Sequence, residues 1–480
     1  MKLCYDVCIV GAGPHALAVL SALQTPTARL SEQEHKRKWR LQAGSDGPSL
    51  KVLVVDPSGE FLYEWNKRFA ALGIDFLRSP SWAHPDAFSQ ESLVDFARLE
   101  GRLAELRDVD LSGTKLQGMP EIEAGYFSMP GTKLFQDFCK SIASKLPHTF
   151  AKGRVTKVER VADVYELAVS EADGASVTTH QSKRVILALG ASGPSNIPPP
   201  FRGLNAVNDA KGCPRVIHTG DWRNVKKIGK DNDEVVLVIG GGLSAVQAAL
   251  LAVRRGASKT ILCTRRPLVC RHYDLPIEFM DRRIGNPWNR WFFLPPDDRH
   301  KYIQNVRGGG SVPPDYIEAI DRAVQDGRLE LTVKSLRHAT TTEQGIRVEF
   351  DDRSALAASR VVLGTGACKD CLKLPLIASM ATQLDLPVQD GLPLLSVDLE
   401  WGDQGVHVVG ALAAGQLGPD SGNLTGARRA ATICAEKVGV FDYLSKSDTV
   451  RGNPFSALAD ALSDGDSGED VTDSSDDWSE

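Results

Sequence analysis

The sequence predicts an α/β chain built from two doubly wound units, the second inserted within the first, followed by a disordered acidic tail. Three observations predict it. Two apolar, strand-forming runs, residues 5–10 and 235–239, each end in a glycine-rich turn that opens an apolar helical stretch. Two later strands, 184–189 and 360–363, also end in small-residue turns, Gly190 and Gly364-Thr365-Gly366. From Asp460 to Glu480 the chain carries nine acids and no lysine or arginine, a composition that cannot bury enough apolar surface to fold.

The first turn is Gly11-Ala12-Gly13-Pro14-His15-Ala16, a G-x-G-x-x-A in strand–turn–helix context. Gly11 allows the tight turn. Gly13 has no Cβ to keep a pyrophosphate from the backbone, Pro14 suits the start of a helix, and small Ala16 lets that helix pack close to the strand. The helix N-terminus offers free N–H groups to phosphate charge. These features define a Rossmann-like dinucleotide-binding domain. Such a domain places an acid at the end of its second strand for a ribose hydroxyl, at a usual spacing of ~20 residues. Here Asp56 follows the strand 50–55 and comes late. The excess is the polar stretch 25–48, with its basic cluster Glu34-His35-Lys36-Arg37-Lys38, which has the character of a surface insertion.

A chain of 480 residues holds two or three domains with a large core. Its net charge of -5 argues against a protein that coats nucleic acid. No apolar run approaches the ~20 residues of a membrane span, and the first strand starts too close to Met1 to leave room for a signal peptide. The nine cysteines are odd in number and scattered, which fits free thiols in a reducing compartment. The expectation is a cytoplasmic protein.

Between the fingerprints, residues 61–65 and 76–86 form a loop region carrying Trp65, Arg78, Trp82 and His84; loops that combine aromatics with charge are often functional. Stretches 93–106 and 132–146 have amphipathic helical periodicity. A β-rich segment follows, with Val155 in its first strand and Gly190 at the end of its last. Pro194 and Pro198-Pro199-Pro200 then mark a crossing between domains.

The second fingerprint is Gly240-Gly241-Gly242-Leu243-Ser244-Ala245, and the strand after its helix (246–255) ends at Arg265 and Arg266. Where an NAD site places an acid, this chain places two guanidinium groups, which pair with a 2′-phosphate. The second site is therefore expected to take NADPH. Two nucleotide domains in one chain suggest that one holds a flavin, FAD, and the other delivers a hydride to it. Later, 405–411 is another strand, and Asn423 and Leu424 precede a helix, 425–438, whose N-terminus is expected near the flavin ring. The expected organisation is 1–200 as the first part of the FAD domain, 201–365 as an inserted NADPH domain, 366–445 as the C-terminal part of the FAD domain, and 446–480 as the tail. The candidate cofactor-binding residues are Gly11, Gly13, Pro14, Ala16, Asp56, Val155 and Gly190, then Gly240, Gly242, Ser244, Arg265 and Arg266, and finally Gly366, Asn423 and Leu424.

With both fingerprints, Ala188-Leu189-Gly190 and Gly364-Thr365-Gly366 in place, the chain resembles the class B flavin-dependent monooxygenases. Phe201-Arg202-Gly203 followed by His218-Thr219-Gly220-Asp221-Trp222 is similar to their F-x-G…H-x-x-x-W signature, with a longer gap before His218. Within that class the likeness is nearest to the enzymes that N-hydroxylate lysine and ornithine. Trp65 and Phe76-Leu77-Arg78 resemble that group's W-H and F-L-K-D-L segments, and 423–429 its N-L-L…R ending. The resemblance spans roughly residues 5–440. It implies that NADPH reduces FAD, that O2 adds at C4a, and that a nucleophilic nitrogen or sulfur takes the distal oxygen of the C4a-hydroperoxyflavin. It also implies catalytic places for Trp65 and His218 and for Arg78, the last to stabilise developing negative charge; an ion pair is the alternative use for Arg78. Where the group has an asparagine in P-F-V-N-E, this chain has Pro276-Ile277-Glu278-Phe279-Met280, which fits a cationic or amine-bearing substrate.

Other readings stay open at this level. Cys368-Lys369-Asp370-Cys371 is a C-x-x-C, but it follows a turn rather than sitting where a flavin disulfide reductase carries its pair. Gly308-Gly309-Gly310 has no phosphate-binding lysine after it and suggests a mobile loop. The flavoprotein could instead be an NADPH oxidase-type enzyme. A regulatory, partner-binding role is also open, since the chain resembles the oxidative-stress-induced growth inhibitor proteins too.

Overall fold

The computed structural model describes residues 3–24, 50–87, 89–109, 127–171, 174, 176–190, 193–230, 233–280, 287–368 and 370–438. The insertion 25–48 and the tail from 446 lie outside the described residues.

Strands β1 (Cys4–Val10) and β2 (Val52–Asp56) are near-continuous apolar runs because the sheet they form is covered on both faces. β1 lies between β2 and β3 (Val177–Leu187), all parallel, and Thr149–Lys152 extends the sheet beyond β2. The first half of β3 pairs antiparallel with Val164–Ser170, which hairpins back onto Arg154–Val161. Helix α1 (Pro14–Gln24) follows β1 and is buried along its whole length.

A second sheet is entirely parallel. Its centre is β4 (Val235–Ile239), flanked by β5 (Lys259–Thr264) and β6 (Arg360–Leu363), with Leu329–Val333 and Val216–His218 at its edges. One face carries Val236 and Val238 against α2 (Leu243–Arg255); the other carries Leu237 and Ile239 against a three-stranded antiparallel sheet around Ile346, Val348 and Phe350. Helix α3 (Pro296–Arg307) follows β5 in the chain and packs on the short helix Ala414–Leu417, while the helix Pro314–Gln325 packs on α2 and the strand at 329.

The chain then returns to the first sheet. β7 (Val406–Val408) pairs parallel with the last three residues of β3, and α4 (Leu424–Val438) packs along α1. The outward and return segments run side by side: Ser195 bridges Ala367, and a Cβ on Gly193 would lie 2.0 Å from the Cys368 carbonyl oxygen.

Two stretches differ from expectation. Residues 61–65, expected in a loop, run into the helix Tyr63–Leu72, so Trp65 stands on a helix. The periodic stretch 93–106 is helical only over Ser92–Leu99, then forms a short 3-10 turn and a two-residue strand. Gly101 takes a left-handed φ of +66° while the Arg102 N–H folds back onto the Ala97 carbonyl, a helix stop the apolar spacing does not encode. The stretch 132–146 is helical over Thr132–Lys145, as expected. All nine cysteines are free thiols. No helix among the described residues is long and apolar enough to cross a membrane.

Candidate active site

At the first fingerprint β1 stops at Gly11, whose φ of +106° and a would-be Cβ 2.4 Å from the Ala188 oxygen admit only glycine. The Gly11 N–H donates to the Val55 carbonyl, and the Ala12 N–H to Asp56 Oδ2 at 3.2 Å, so the turn and the acid at the end of β2 are joined directly. The Asp56 carbonyl accepts the Gly153 N–H, which brings the buried Val155 to the same end of the sheet. A Cβ on Gly13 would meet no atom within 4 Å among the described residues, so the turn opens onto space in front of α1. Pro14 and Ala16 are buried in that helix's first turn.

Distant segments converge here. His15 Nε2 donates to the Ser421 carbonyl at 2.9 Å, tying α1 to the turn before α4. A Cβ on Gly410 would lie 3.6 Å from the Gly190 oxygen and 3.7 Å from the His15 ring. Gly190 itself has a φ of +76°, and a Cβ there would meet no atom within 4 Å among the described residues. Leu424 is buried at the start of α4, and Asn423 Nδ2 donates to Asp274 Oδ1 at 2.9 Å. Asp274 also pairs with Arg307 at 2.6 Å. Buried Asp420, raised by that burial to about 6, pairs with Arg429 at 2.6 Å.

At the second fingerprint Gly240 has a φ of +143°, and its would-be Cβ lies 2.4 Å from the Gly364 oxygen. The Gly364–Gly366 turn therefore packs on the fingerprint, with Gly366 left-handed at φ +74° and open in front. His218 pairs in register with Leu363, and its Nδ1 accepts the Gly220 N–H at 3.0 Å. Burial lowers the His218 pKa, opposed by the Gly366 backbone. Phe201 is fully buried beneath the second sheet. Trp222 reaches the other way: its Nε1 donates to Glu64 Oε2 at 2.7 Å, linking the second sheet to the helix Tyr63–Leu72. Ser244, Arg265 and Arg266 are exposed. Arg266 donates to the Gly308 carbonyl, whereas Arg265 makes no hydrogen bond or ion pair among the described residues.

The helix Tyr63–Leu72 begins at the first fingerprint, where the Leu62 N–H donates to the Ala12 carbonyl at 2.7 Å. On it Trp65 stacks on Phe69 with ring centroids 4.6 Å apart, and Trp65 Nε1 and Asn66 Oδ1 are buried without a hydrogen-bond partner among the described residues. Among the described residues Arg78 forms no ion pair. Its guanidinium donates to the carbonyls of Arg271, His272, Tyr273 and Ser311 and to Ser311 Oγ, at 2.7–3.0 Å, and burial pushes its pKa down to about 10. It staples the loop at 78 to the segments at 271–273 and 311, with its donors committed to those acceptors.

The structure thus brings Gly11, Gly13, Asp56, Val155, Gly190, Asn423 and Leu424 to one end of the first sheet. It brings Gly240, Gly242, Ser244, Arg265, Arg266, His218 and Gly366 to the matching end of the second. Sequence reasoning missed His15 as a tie, the Asp274–Arg307 pair, and the packing of residues 308–310 on the second fingerprint. Only the glycine run carried a signal. Cys368 is half-buried with its pKa lowered by the Asp370 backbone and then by Lys373, while Cys371 is buried and raised to about 11 by burial. Both sit on the return crossing.

Residues 115–282 match the family described as pyridine nucleotide-disulphide oxidoreductase. No curated protein matches the chain. Among solved structures, the reduced form of the ornithine hydroxylase of Pseudomonas aeruginosa is 18% identical with a TM-score of 0.66, covering 91% of this chain and 99% of that one. The ornithine N-hydroxylase of Kutzneria sp. 744, solved with reduced FAD, NADP+ and L-ornithine, is 16% identical with a TM-score of 0.65, at 91% and 99% coverage. The FAD-bound cadaverine monooxygenase of Erwinia amylovora is 16% identical with a TM-score of 0.63, at 91% and 95% coverage. The chain has the FAD/NAD(P)-binding oxidoreductase fold that these N-hydroxylating monooxygenases share.

Proposed function

We propose that the protein is an FAD-dependent, NADPH-using monooxygenase that places one oxygen atom of O2 on a nucleophilic nitrogen of a small amine or amino acid. Residues 1–200 and 366–445 then make up the FAD domain and 201–365 the NADPH domain. The observation that carries this reading is the convergence at the first fingerprint, where an open glycine cradle, an acid at the end of β2 and the start of α4 meet. Open space at Gly13 fits a bound group there, and the orphaned polar atoms of Trp65 and Asn66 stand on the helix that starts beside that turn. The fold relatives solved with FAD, and in one case NADP+ and an amine substrate, support the same choice of ligands.

Bound FAD supplies the redox step, taking two electrons from NADPH and passing them to O2, so that amine, O2, NADPH and a proton yield hydroxylamine, water and NADP+. The chain's own groups bind and orient. The first-turn N–H groups of α1 hold the diphosphate and Asp56 accepts from a ribose hydroxyl. Arg265 and Arg266 hold the 2′-phosphate as charge-assisted donors. His218, kept neutral by burial, stiffens the Gly364–Gly366 turn between the two sites. The Trp65–Phe69 stack excludes water from the flavin side. Arg78 acts through packing, fixing the loops at 271–273 and 311.

The test is NADPH-driven O2 uptake by the flavin-loaded protein with lysine, ornithine and simple diamines. Uptake stimulated by an amine, with hydroxylamine formed in proportion to NADPH consumed, is expected. Uptake that no amine stimulates, with peroxide accounting for all the O2, overturns the monooxygenase reading.

A further inference from the structure

At Gly13 a side chain would point into open space, but at Gly242, the equivalent glycine of the second fingerprint, that place is taken. A Cβ on Gly242 would lie 3.4 Å from Gly310 Cα, and one on Gly310 would lie 2.7 Å from Gly242 Cα and 3.0 Å from its nitrogen. Two backbones cross in van der Waals contact where a dinucleotide's pyrophosphate approaches the second fingerprint glycine. At position 310 only glycine permits that crossing, whereas a Cβ on Gly242 would just touch Gly310 Cα.

The crossing segment, residues 307–311, is pinned on both sides. Arg271 Nη2 donates to the Arg307 carbonyl at 2.6 Å, and Arg266 donates to the Gly308 carbonyl. Arg78 holds Ser311 through its carbonyl and its hydroxyl, each at 2.9 Å. Between these pins Gly308 and Gly309 are left-handed, at φ +59° and +83°, so the segment turns where the backbone is freest. The Arg307 side chain reaches across to Asp274 at 2.6 Å and to the Pro419 carbonyl at 2.7 Å, beside the turn that leads into α4.

On the reading of the second fingerprint as an NADPH site, we propose that residues 307–311 are a strap that fills the pyrophosphate's place at Gly242 in the coenzyme-free protein, with Arg266 as its latch. Coenzyme entry lifts residues 308–310 and moves Arg266 from the Gly308 carbonyl to phosphate. Arg265, free of partners among the described residues, is the guanidinium that meets the 2′-phosphate first. Because Arg307 is tied to Asp274 and Pro419, lifting the strap is felt at the flavin-side turn.

The test is hydrogen–deuterium exchange on the full flavin-loaded chain with and without NADP+, read on peptides covering 240–246 and 306–312. NADP+ is expected to slow exchange at 240–246 and to speed it at 308–310. A Gly309→Ala variant places a Cβ 2.6 Å from Arg266 Nη2 at a left-handed residue, which loosens the latch. Its strap should exchange fast without coenzyme, and its flavin should be reduced faster than wild type by subsaturating NADPH and NADH alike, since both carry the pyrophosphate. If NADP+ protects both peptides together, the strap is a wall of the site and the proposal falls while the NADPH reading stands; slower reduction of Gly309→Ala by both coenzymes likewise overturns the strap. If neither peptide responds and NADPH leaves the flavin oxidised, the coenzyme reading falls and takes the strap with it.

Discussion

The two fingerprints share a spacing, G-x-G-x-x-A after an apolar strand, and differ in nearly everything that surrounds it. At the first, Asp56 is bonded to the turn, the second glycine faces open space, and the next-but-one residue, His15, is buried and tied to Ser421. At the second, two arginines end the strand, Gly310 covers the second glycine, and Ser244, in the place of His15, is exposed. The difference teaches that one backbone device serves two kinds of ligand. A cradle left open and sewn to distant segments suits a resident group, whereas one covered by a latched glycine strap suits a ligand that comes and goes.

The largest expected effect comes from breaking the open cradle. Gly13→Val puts a branched side chain where the pyrophosphate approaches, and its Cβ would meet no described atom within 4 Å. The variant should fold and melt like flavin-free wild type yet carry no flavin, read as absorbance per chain after purification. Gly11→Ala behaves in the opposite way, because its Cβ would strike the Ala188 carbonyl in a left-handed residue. It should lose stability, by about 1–3 kcal/mol, before any ligand is considered. Full flavin content in Gly13→Val would dissolve the distinction between the two turns.

A smaller effect sharpens the second site. Arg265→Ala should raise the KM for NADPH with little change for NADH. A charge-assisted bond is worth ~1.5–3 kcal/mol, and the exposure of Arg265 puts the effect at the lower end, about tenfold. Equal loss with both coenzymes would mean that the guanidinium supports structure rather than phosphate.

The sequence alone carried the strands, the turns and both fingerprints, because apolar runs ending in glycine encode those directly. Helix ends were less legible: Gly101 closes a helix whose apolar spacing continues beyond it. The use of Arg78 was not legible at all. Its acceptors are carbonyls of residues 271–273 and 311, and a carbonyl leaves no trace in side-chain chemistry. The same holds for the strap. Three glycines announce a turn, but that they cross Gly242 is settled by Arg266 and Arg271 from the stretch after β5 and by Arg78 from the loop at 78.

The smallest expected effect concerns acid. His15 is buried against Ser421, and burial lowers its pKa below 6.5, with the Ser421 hydrogen bond opposing. Well above 6.5 neither the folded nor the unfolded chain is protonated at this residue, so its contribution to stability is complete there. As pH falls through 6.5 the unfolded chain takes up a proton that the folded site resists, and the folded state is weakened. Asp420, the neighbour of Ser421, acts with the opposite sign: burial raises it from 3.8 to about 6 despite Arg429, so its contribution is complete at low pH and lost as pH rises toward 6. Between about 4 and 6.5 the two groups oppose each other, and a single profile cannot separate them. His15→Gln can, because the amide keeps a donor for the Ser421 carbonyl and removes the titration. The buried His84 and His407, depressed to about 3 and about 4, are present in both proteins and cancel in the difference. Unfolding followed by thermal melting should therefore be less acid-sensitive in the variant, by less than about 1.4 kcal/mol per pH unit. It should match wild type above 6.5. No counterpart is expected at the second site, where exposed Ser244 does not titrate; identical acid profiles of stability in the two proteins would place the acid response outside the first fingerprint.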